Sequence, residues 1–277
     1  MSLSILNNIS SLSAQNQLNL TQMSLNKTLQ QLSSGSRINS GADDAAGLAI
    51  ADGLNANITA LTQSTRNATD GVGMLQVADG ALSQITSLLN RAVTLATESS
   101  TGTVSDSQRT ALDAEFTSIK TEIDTIGQKT TYNGQAIFGA SANLTVYMSD
   151  SSSAGTSSVS VTIGQVDSAN LGSTDLSGDD LTSAGNAQTA LGDINSAIAA
   201  VASLRGTLGA SSNQLQAASS VMSNQIQNLT SAEDGIRSAD IAQTSADLSK
   251  YSILQQTGIT ALQQSNQMQQ SVLKLLQ

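Results

Sequence analysis

The stretch from residue 54 to residue 96, LNANITALTQSTRNATDGVGMLQVADGALSQITSLLNRAVTLA, has an apolar residue at every seventh position. These are Leu54, Leu61, Ala68, Leu75, Leu82, Leu89 and Ala96. An apolar row sustained at this period predicts a long helix whose seam packs against other helices. The second row, read four residues on, is mixed: Ile58, Thr65, Val72, Asp79, Thr86 and Val93. Asn39, Ser40 and Gly41 followed by Asp43 and Asp44 read as a capped helix start, with acids at the positive helix end. Ser99, Ser100, Thr101 and Gly102 read as its stop.

Working outward, Leu112, Phe116, Ile119, Ile123 and Ile126 predict a second helix. A third carries Ile194, Val201, Leu208, Leu215, Met222 and Leu229 at steps of seven. Its second row holds Leu191, Ile198 and Ile226 but also Arg205, Ser212 and Ser219. Gly71, Gly73, Gly80, Gly206 and Gly209 each cost such helices roughly 1 kcal/mol. The helices therefore need one another, as a long antiparallel bundle formed by both halves of the chain.

Residues 140–186 break the pattern, with no Lys or Arg, five Asp, and abundant Ser, Thr and Gly. Leu144–Tyr147 and Val159–Ile163 alternate with period two and predict short strands. Asn133-Gly134 is a strong hairpin signal. The expectation is a mainly α protein with a small β-rich insertion in the middle, placed at the far end of the bundle. The chain divides into 1–42, 43–139, 140–186, 187–234 and 235–277.

Both ends are nearly free of charge. Residues 1–42 hold only Lys27 and Arg37, and residues 248–277 only Lys250 and Lys274. Partial helical stripes run through Leu18, Leu25, Leu29 and Leu32 at one end, and through Ile259, Leu262, Leu273 and Leu276 at the other. Such helices are marginal alone. Self-assembly explains a low-charge, amide-rich surface better than solvation does; disordered tails are the alternative.

Composition excludes much. The 277 residues include no Pro, Cys, His or Trp, and only 2% are aromatic, while Ser and Thr make up about a quarter. Without His and Cys the chain lacks the usual general base, the commonest metal ligand and any thiolate. A net charge of −10 argues against nucleic acid and anionic membranes. No apolar run reaches membrane-span length, so no membrane insertion is expected. Met1–Leu6 leads directly into Asn7 and Asn8, which does not read as a cleavable leader. Ser24 and Lys27 fit a Ser-x-x-Lys pattern without the motifs that accompany it in enzymes. Asp175, Asp179 and Asp180 lack calcium-loop spacing and read as a solvated acidic loop. The expectation is a non-enzyme with no cofactor, catalytic residue or metal site.

The segments Leu32–Ser40 and Asp43–Ile50 closely resemble the N-terminal signature of the bacterial flagellins. Asp70-Gly71, Asp79–Leu82 and the turn Thr131–Gly134 resemble further family positions, and Ile253–Gly258 and Val272–Leu276 its C-terminal signature. The resemblance covers roughly 1–139 and 187–277, with departures at Gly235, Thr257 and Gln269. It implies a structural subunit, exported unfolded through the flagellar type III apparatus with a chaperone and added at the filament tip under a cap protein. The terminal helices would pair into coiled coils and make the subunit–subunit contacts, giving a helical homopolymer for motility. A chain without Pro also avoids slow isomerisation after export. The alternatives are the related hook–filament junction protein and a secreted helical stalk with a binding tip at 140–186.

The resemblance also implies a contact with a flagellin-sensing Toll-like receptor through Arg91, Leu95 and Glu122. Val93 and Thr94 depart from the residues usual between the first two. A solvated helix face or a subunit contact is the competing reading of these three. Hydroxyl density alone marks Ser151, Ser152 and Ser157 as glycosylation candidates.

Overall fold

With no proline to interrupt them, the helices run long. The computed structural model describes residues 8–139, 143–149, 158–171 and 175–275. Five helices occur among them: α1 (Ile9–Ser34), α2 (Ala45–Ser99), α3 (Asp106–Lys129), α4 (Ala184–Arg237) and α5 (Ile241–Leu275). At 1.5 Å per residue, the 55 residues of α2 span about 80 Å. Strands β1 (Thr131–Tyr132) and β2 (Gln135–Ala136) form one antiparallel hairpin, and β3 (Asn143–Tyr147) and β4 (Ser158–Thr162) another. The chain divides into two units, residues 57–227 and the paired ends 1–56 with 228–277.

In the first unit, parts of α2 and α4 share a core with all of α3. Leu61, Ala68, Leu75, Leu82, Leu89 and Ala96 are buried, as the seven-residue row predicts. The second row differs from the expectation by one residue. Ser64, Ala78, Ile85, Ala92 and Ser99 are buried, whereas Thr65, Asp79, Thr86 and Val93 are only half-buried. In α4 the same shift buries Ala190 and Ala197 and leaves Leu191 and Ile198 half-buried. Through α2 and the start of α4 the inner partner of each apolar residue therefore lies three residues on, and it is usually small. Residues four on form a flanking row. Two charges in those flanking rows meet: Arg205 Nε donates to Asp79 Oδ1 at 2.7 Å and Nη2 to Oδ2 at 3.2 Å.

Helix α3 buries Phe116, Ile119 and Ile123. The turn before it is tied by Arg109, itself buried, whose guanidinium donates to the Thr101 carbonyl at 2.9 Å and to Ser99 Oγ at 3.4 Å. Ser99 Oγ in turn donates to the Leu181 carbonyl at 2.7 Å.

The β-rich insertion is not at the far end of the bundle. Asn133 (φ 50°) and Gly134 (φ 77°) form the two-residue turn that the sequence signals, between β1 and β2. Strands β3 and β4 pair Leu144 with Val161 and Val146 with Val159, turning the valines inward. They lie along the flank of α2: a Cβ added at Gly71 would come within 2.7 Å of Val146 Cγ2. Asn67 Nδ2 donates to the Tyr147 carbonyl at 3.3 Å.

Beyond β4, the chain becomes a strap running back along α3 rather than more sheet. Residues at regular helical steps on α3 hold it. Asp124 accepts from the Ser168 amide at 2.7 Å, Lys120 donates to the Asp179 carbonyl at 2.6 Å, and Asp113 accepts from the Leu181 amide at 2.8 Å. Gly127 admits the strap because an added Cβ would collide with the Val166 carbonyl oxygen.

Of the acidic residues read as a solvated loop, Asp175 and Asp180 cap local turns. Asp175 accepts from the Ser177 amide at 2.8 Å, and Asp180 from the Thr182 amide at 2.9 Å. Asp179 Oδ2 is buried without a hydrogen-bond partner. Burial, reinforced by Asp193, pushes the Asp179 carboxyl above the usual range.

Candidate assembly surface

The second unit pairs α1 and α5 as an antiparallel hairpin whose Cα atoms approach within 8 Å along the two helices. Small and polar seam residues permit that approach. From α1, Thr21, Leu25 and Thr28 are buried, with Ser11, Ala14, Leu18 and Leu32 half-buried around them. The buried hydroxyls are satisfied within their own helix: Thr21 Oγ1 donates to the Gln17 carbonyl and Thr28 Oγ1 to that of Ser24, both at 2.9 Å. From α5, Gln255, Gly258, Leu262, Ser265 and Gln269 line the seam. A Cβ on Gly258 would stand 3.2 Å from Leu18 Cδ1, which shows how close the helices lie.

Amides and hydroxyls bridge the seam and set its register. Gln255 Nε2 donates to Gln22 Oε1 at 2.6 Å. Asn8 Nδ2 donates to Gln269 Oε1 at 3.2 Å, and Ser11 Oγ to Asn266 Oδ1 at 3.0 Å. A clip closes the other end. Gly35, at φ 69°, ends α1 in the left-handed conformation. The Arg37 amide then donates to the Arg237 carbonyl at 2.7 Å, and the Ala239 amide to the Gly35 carbonyl at 2.9 Å. The Arg37 guanidinium reaches the Ile236 carbonyl at 2.6 Å.

The pair of acids at the start of α2 divides its work. Asp44 Oδ1 accepts from the Gly47 amide at 2.8 Å and caps the helix. Asp43 instead holds the preceding loop, accepting from the Asn39 and Ser40 amides at 3.2 and 3.1 Å. Its other oxygen lies 2.8 Å from Lys27 Nζ. The hydrogen-bonded Lys27 ammonium, aided by the Asn39 amide, holds the Asp43 pKa down to about 2.

What the hairpin leaves outside is apolar. Ile9, Leu12, Leu20 and Met23 recur at near-whole turns on the face of α1 opposite the seam, and all are more than half exposed. On α5, Ile253, Leu254, Ile259 and Met268 are also exposed. Eleven of the fourteen exposed large apolar side chains among the described residues lie in this unit. Monomeric proteins seldom expose apolar surface so concentrated.

Of the contact residues expected from the sequence, Leu25 is buried in the hairpin and Leu18, Leu32 and Leu262 are half-buried there. Leu29 and Ile259 point outward instead. Nothing is described of the Leu273 side chain, and Leu276 lies outside the described residues. The sequence reading followed one stripe per helix; Ile9, Leu12, Leu20 and Met23 carry the signal of a second, outer row on α1.

The three receptor-contact residues are not equivalent. Arg91 and Glu122 are exposed, but Leu95 is 0% exposed in the helical core and offers no surface. Arg91 pairs with Glu115, which sequence reading missed, through bonds of 2.7 and 3.0 Å. Ser151, Ser152 and Ser157 lie outside the described residues. Among the described residues no cluster of His, Cys, Asp and Glu could hold a metal ion, and no helix is long and apolar enough to cross a membrane.

Comparison with known proteins agrees with where these features lie. Residues 5–143 match the bacterial flagellin N-terminal helical region and residues 191–276 the bacterial flagellin C-terminal helical region. A flagellin of Halalkalibacterium halodurans is 36% identical over 250 residues, spanning 90% of this chain and 91% of the relative. A flagellin of Listeria monocytogenes is 34% identical over 284 residues, spanning 97% and 98%. The flagellar filament 33 kDa core protein of Treponema phagedenis is 32% identical over 283 residues, again spanning 97% and 98%. Both matched regions include the pairing helices, and their similarity extends over nearly the whole length of these filament proteins: the chain belongs to the bacterial flagellins, the structural subunits of the flagellar filament.

Proposed function

We propose that the outer faces of α1 and α5 are the surfaces through which this flagellin joins other copies of itself. The observation that carries this reading is the row Ile9, Leu12, Leu20 and Met23, exposed opposite a seam already filled by α5. Burying one Leu or Met side chain is worth about 1.5–3 kcal/mol, so a few such contacts repeated along a polymer are ample. The half-buried Leu18, Leu32 and Leu262, with Leu25 between them, then position the hairpin. The outward Leu29 and Ile259 join the contact surface itself. In this reading residues 1–42 and 235–277 are the assembly parts of the five segments.

The same proposal includes secretion to an extracellular filament. Export unfolded fits a Pro-free chain whose terminal hairpin has a polar, weakly held seam. An export chaperone and a cap protein are the partners it requires, and no catalytic role is assigned. A flagellin-sensing Toll-like receptor is proposed as a further partner on Arg91 and Glu122, without Leu95. Monomer carrying Arg91→Ala should activate receptor-bearing cells more weakly than the parent; equal activation rejects that contact.

The test of assembly is direct. Purified protein in ammonium sulfate, which strengthens apolar burial, should form long uniform filaments in negative-stain electron microscopy. Deleting residues 248–277 should abolish them while leaving the melting of the 57–227 unit in place. Filaments from the truncated chain would overturn the reading.

A further inference from the structure

A chain with no Cys, His or Trp leaves two-electron oxidants one class of fast target, the thioether of methionine. Of the six methionines, Met1 lies outside the described residues. Met148 and Met222 are buried, at 7% and 5% exposure, and Met74 is half-buried. Met23 and Met268 are 68% and 60% exposed. Both belong to the α1–α5 unit, Met23 in the outer apolar row and Met268 on the outward side of α5. Among the described residues the fold thus shelters the thioethers of Met148 and Met222 and presents two on the faces assigned to assembly.

We propose that Met23 and Met268 are oxidation sites through which peroxide-class oxidants block incorporation of the subunit; this rests on the reading of the outer faces of α1 and α5 as subunit contacts. The sulfur attacks one oxygen of hydrogen peroxide, the O–O bond breaks, and water leaves after proton transfer. Sulfur loses two electrons and gains one oxygen, while the peroxide is reduced. The sulfoxide is polar, so burying it forfeits the apolar gain and adds a desolvation cost. Because each buried methionine contributes on the scale of a tenfold change in binding, oxidation of both should raise the monomer concentration needed for polymerisation by about a hundredfold. Reduction by methionine sulfoxide reductases restores the thioether and reverses the block.

The test treats full-length monomer with graded hydrogen peroxide, maps sulfoxides by peptide mass spectrometry, and measures polymer formed in ammonium sulfate. Met23 and Met268 should oxidise several-fold faster than Met148 and Met222. Polymer yield should fall in step with the first pair and return after treatment with both reductases. A variant with Met148→Leu and Met222→Leu, which alters neither outer face, should lose polymer at the same peroxide dose as the parent. A second variant, Met23→Gln with Met268→Gln, should polymerise poorly without any oxidant. Loss of polymer that follows Met148 or Met222 oxidation, or unimpaired polymerisation of chains oxidised at Met23 and Met268, overturns the proposal. Failure of the underlying reading is distinguished by the chain lacking residues 248–277: if it polymerises, the assembly surface is wrong whatever the order of oxidation.

Discussion

The unit of residues 57–227 and the paired ends 1–56 and 228–277 both pack helices on a seven-residue repeat, yet they spend their apolar residues in opposite ways. In the first, Leu75, Leu82, Ile85, Leu89, Leu95 and Ile123 are all buried to 2% exposure or less. In the second, the seam mixes Leu18, Leu25, Leu32 and Leu262 with Thr21, Thr28, Gln255, Gly258 and Ser265, while Ile9, Leu12, Leu20 and Met23 face outward. The first satisfies itself. The second is held by a few leucines together with hydrogen bonds and close backbone approach, and a further row of large apolar side chains remains for a partner. A heptad repeat thus says that a helix has a neighbour, but not which of its faces the neighbour covers.

Paired substitutions test that contrast most sharply. Leu82→Ala should destabilise the 57–227 unit by about 2–5 kcal/mol in urea unfolding, because it opens a cavity in a closed core. Leu20→Ala should leave monomer unfolding within about 0.5 kcal/mol of the parent. It should nevertheless raise the concentration needed for polymerisation roughly tenfold, as loss of one buried leucine predicts. If Leu20→Ala unfolded the monomer as severely as Leu82→Ala, the two units would not differ as described.

Two glycines extend the comparison at smaller cost. Gly127→Ala should destabilise by about 1–3 kcal/mol, since its methyl would meet the Val166 backbone, which has nowhere to move. Gly258→Ala should stabilise α5 by about 0.5–1 kcal/mol, because the atom it meets is the movable end of Leu18 and the helix gains propensity. Thermal unfolding of both variants measures the opposite signs.

The smallest effect is electrostatic. Asp43 has its pKa depressed to about 2 by Lys27, so its contribution is complete above the ordinary carboxylate pKa and disappears as pH falls toward 2. Carboxyl titration followed by NMR should show the low value, and Lys27→Ala should return it toward 3.8. Salt should weaken the same contact. A titration unmoved by Lys27→Ala would locate the depression in the backbone amides of Asn39 and Ser40 instead.

Much of this was legible beforehand. The first apolar row, the α2 start at Asp43 and Asp44, the Asn133-Gly134 turn and both longer strands rest on local geometry, and each appears close to where it was read. The second row of α2 and of the start of α4 was misread by one residue. Stepping four positions on selected Thr65, Thr86 and Leu191, whereas packing placed Ser64, Ile85 and Ala190 inside. Large side chains announce themselves in a sequence; small ones matter only once a second backbone comes near.

By itself the sequence determined that this protein is made of long unbroken helices with charge-poor ends, since period, composition and the absence of proline act within one segment. Tertiary structure decided the rest: which face of each helix is covered, that Arg205 meets Asp79, that residues 163–171 and 175–183 lie along α3, and that Leu95 is buried while Met23 is not. Those outcomes depend on how near another segment approaches, a distance fixed only when residues far apart in the chain pack together.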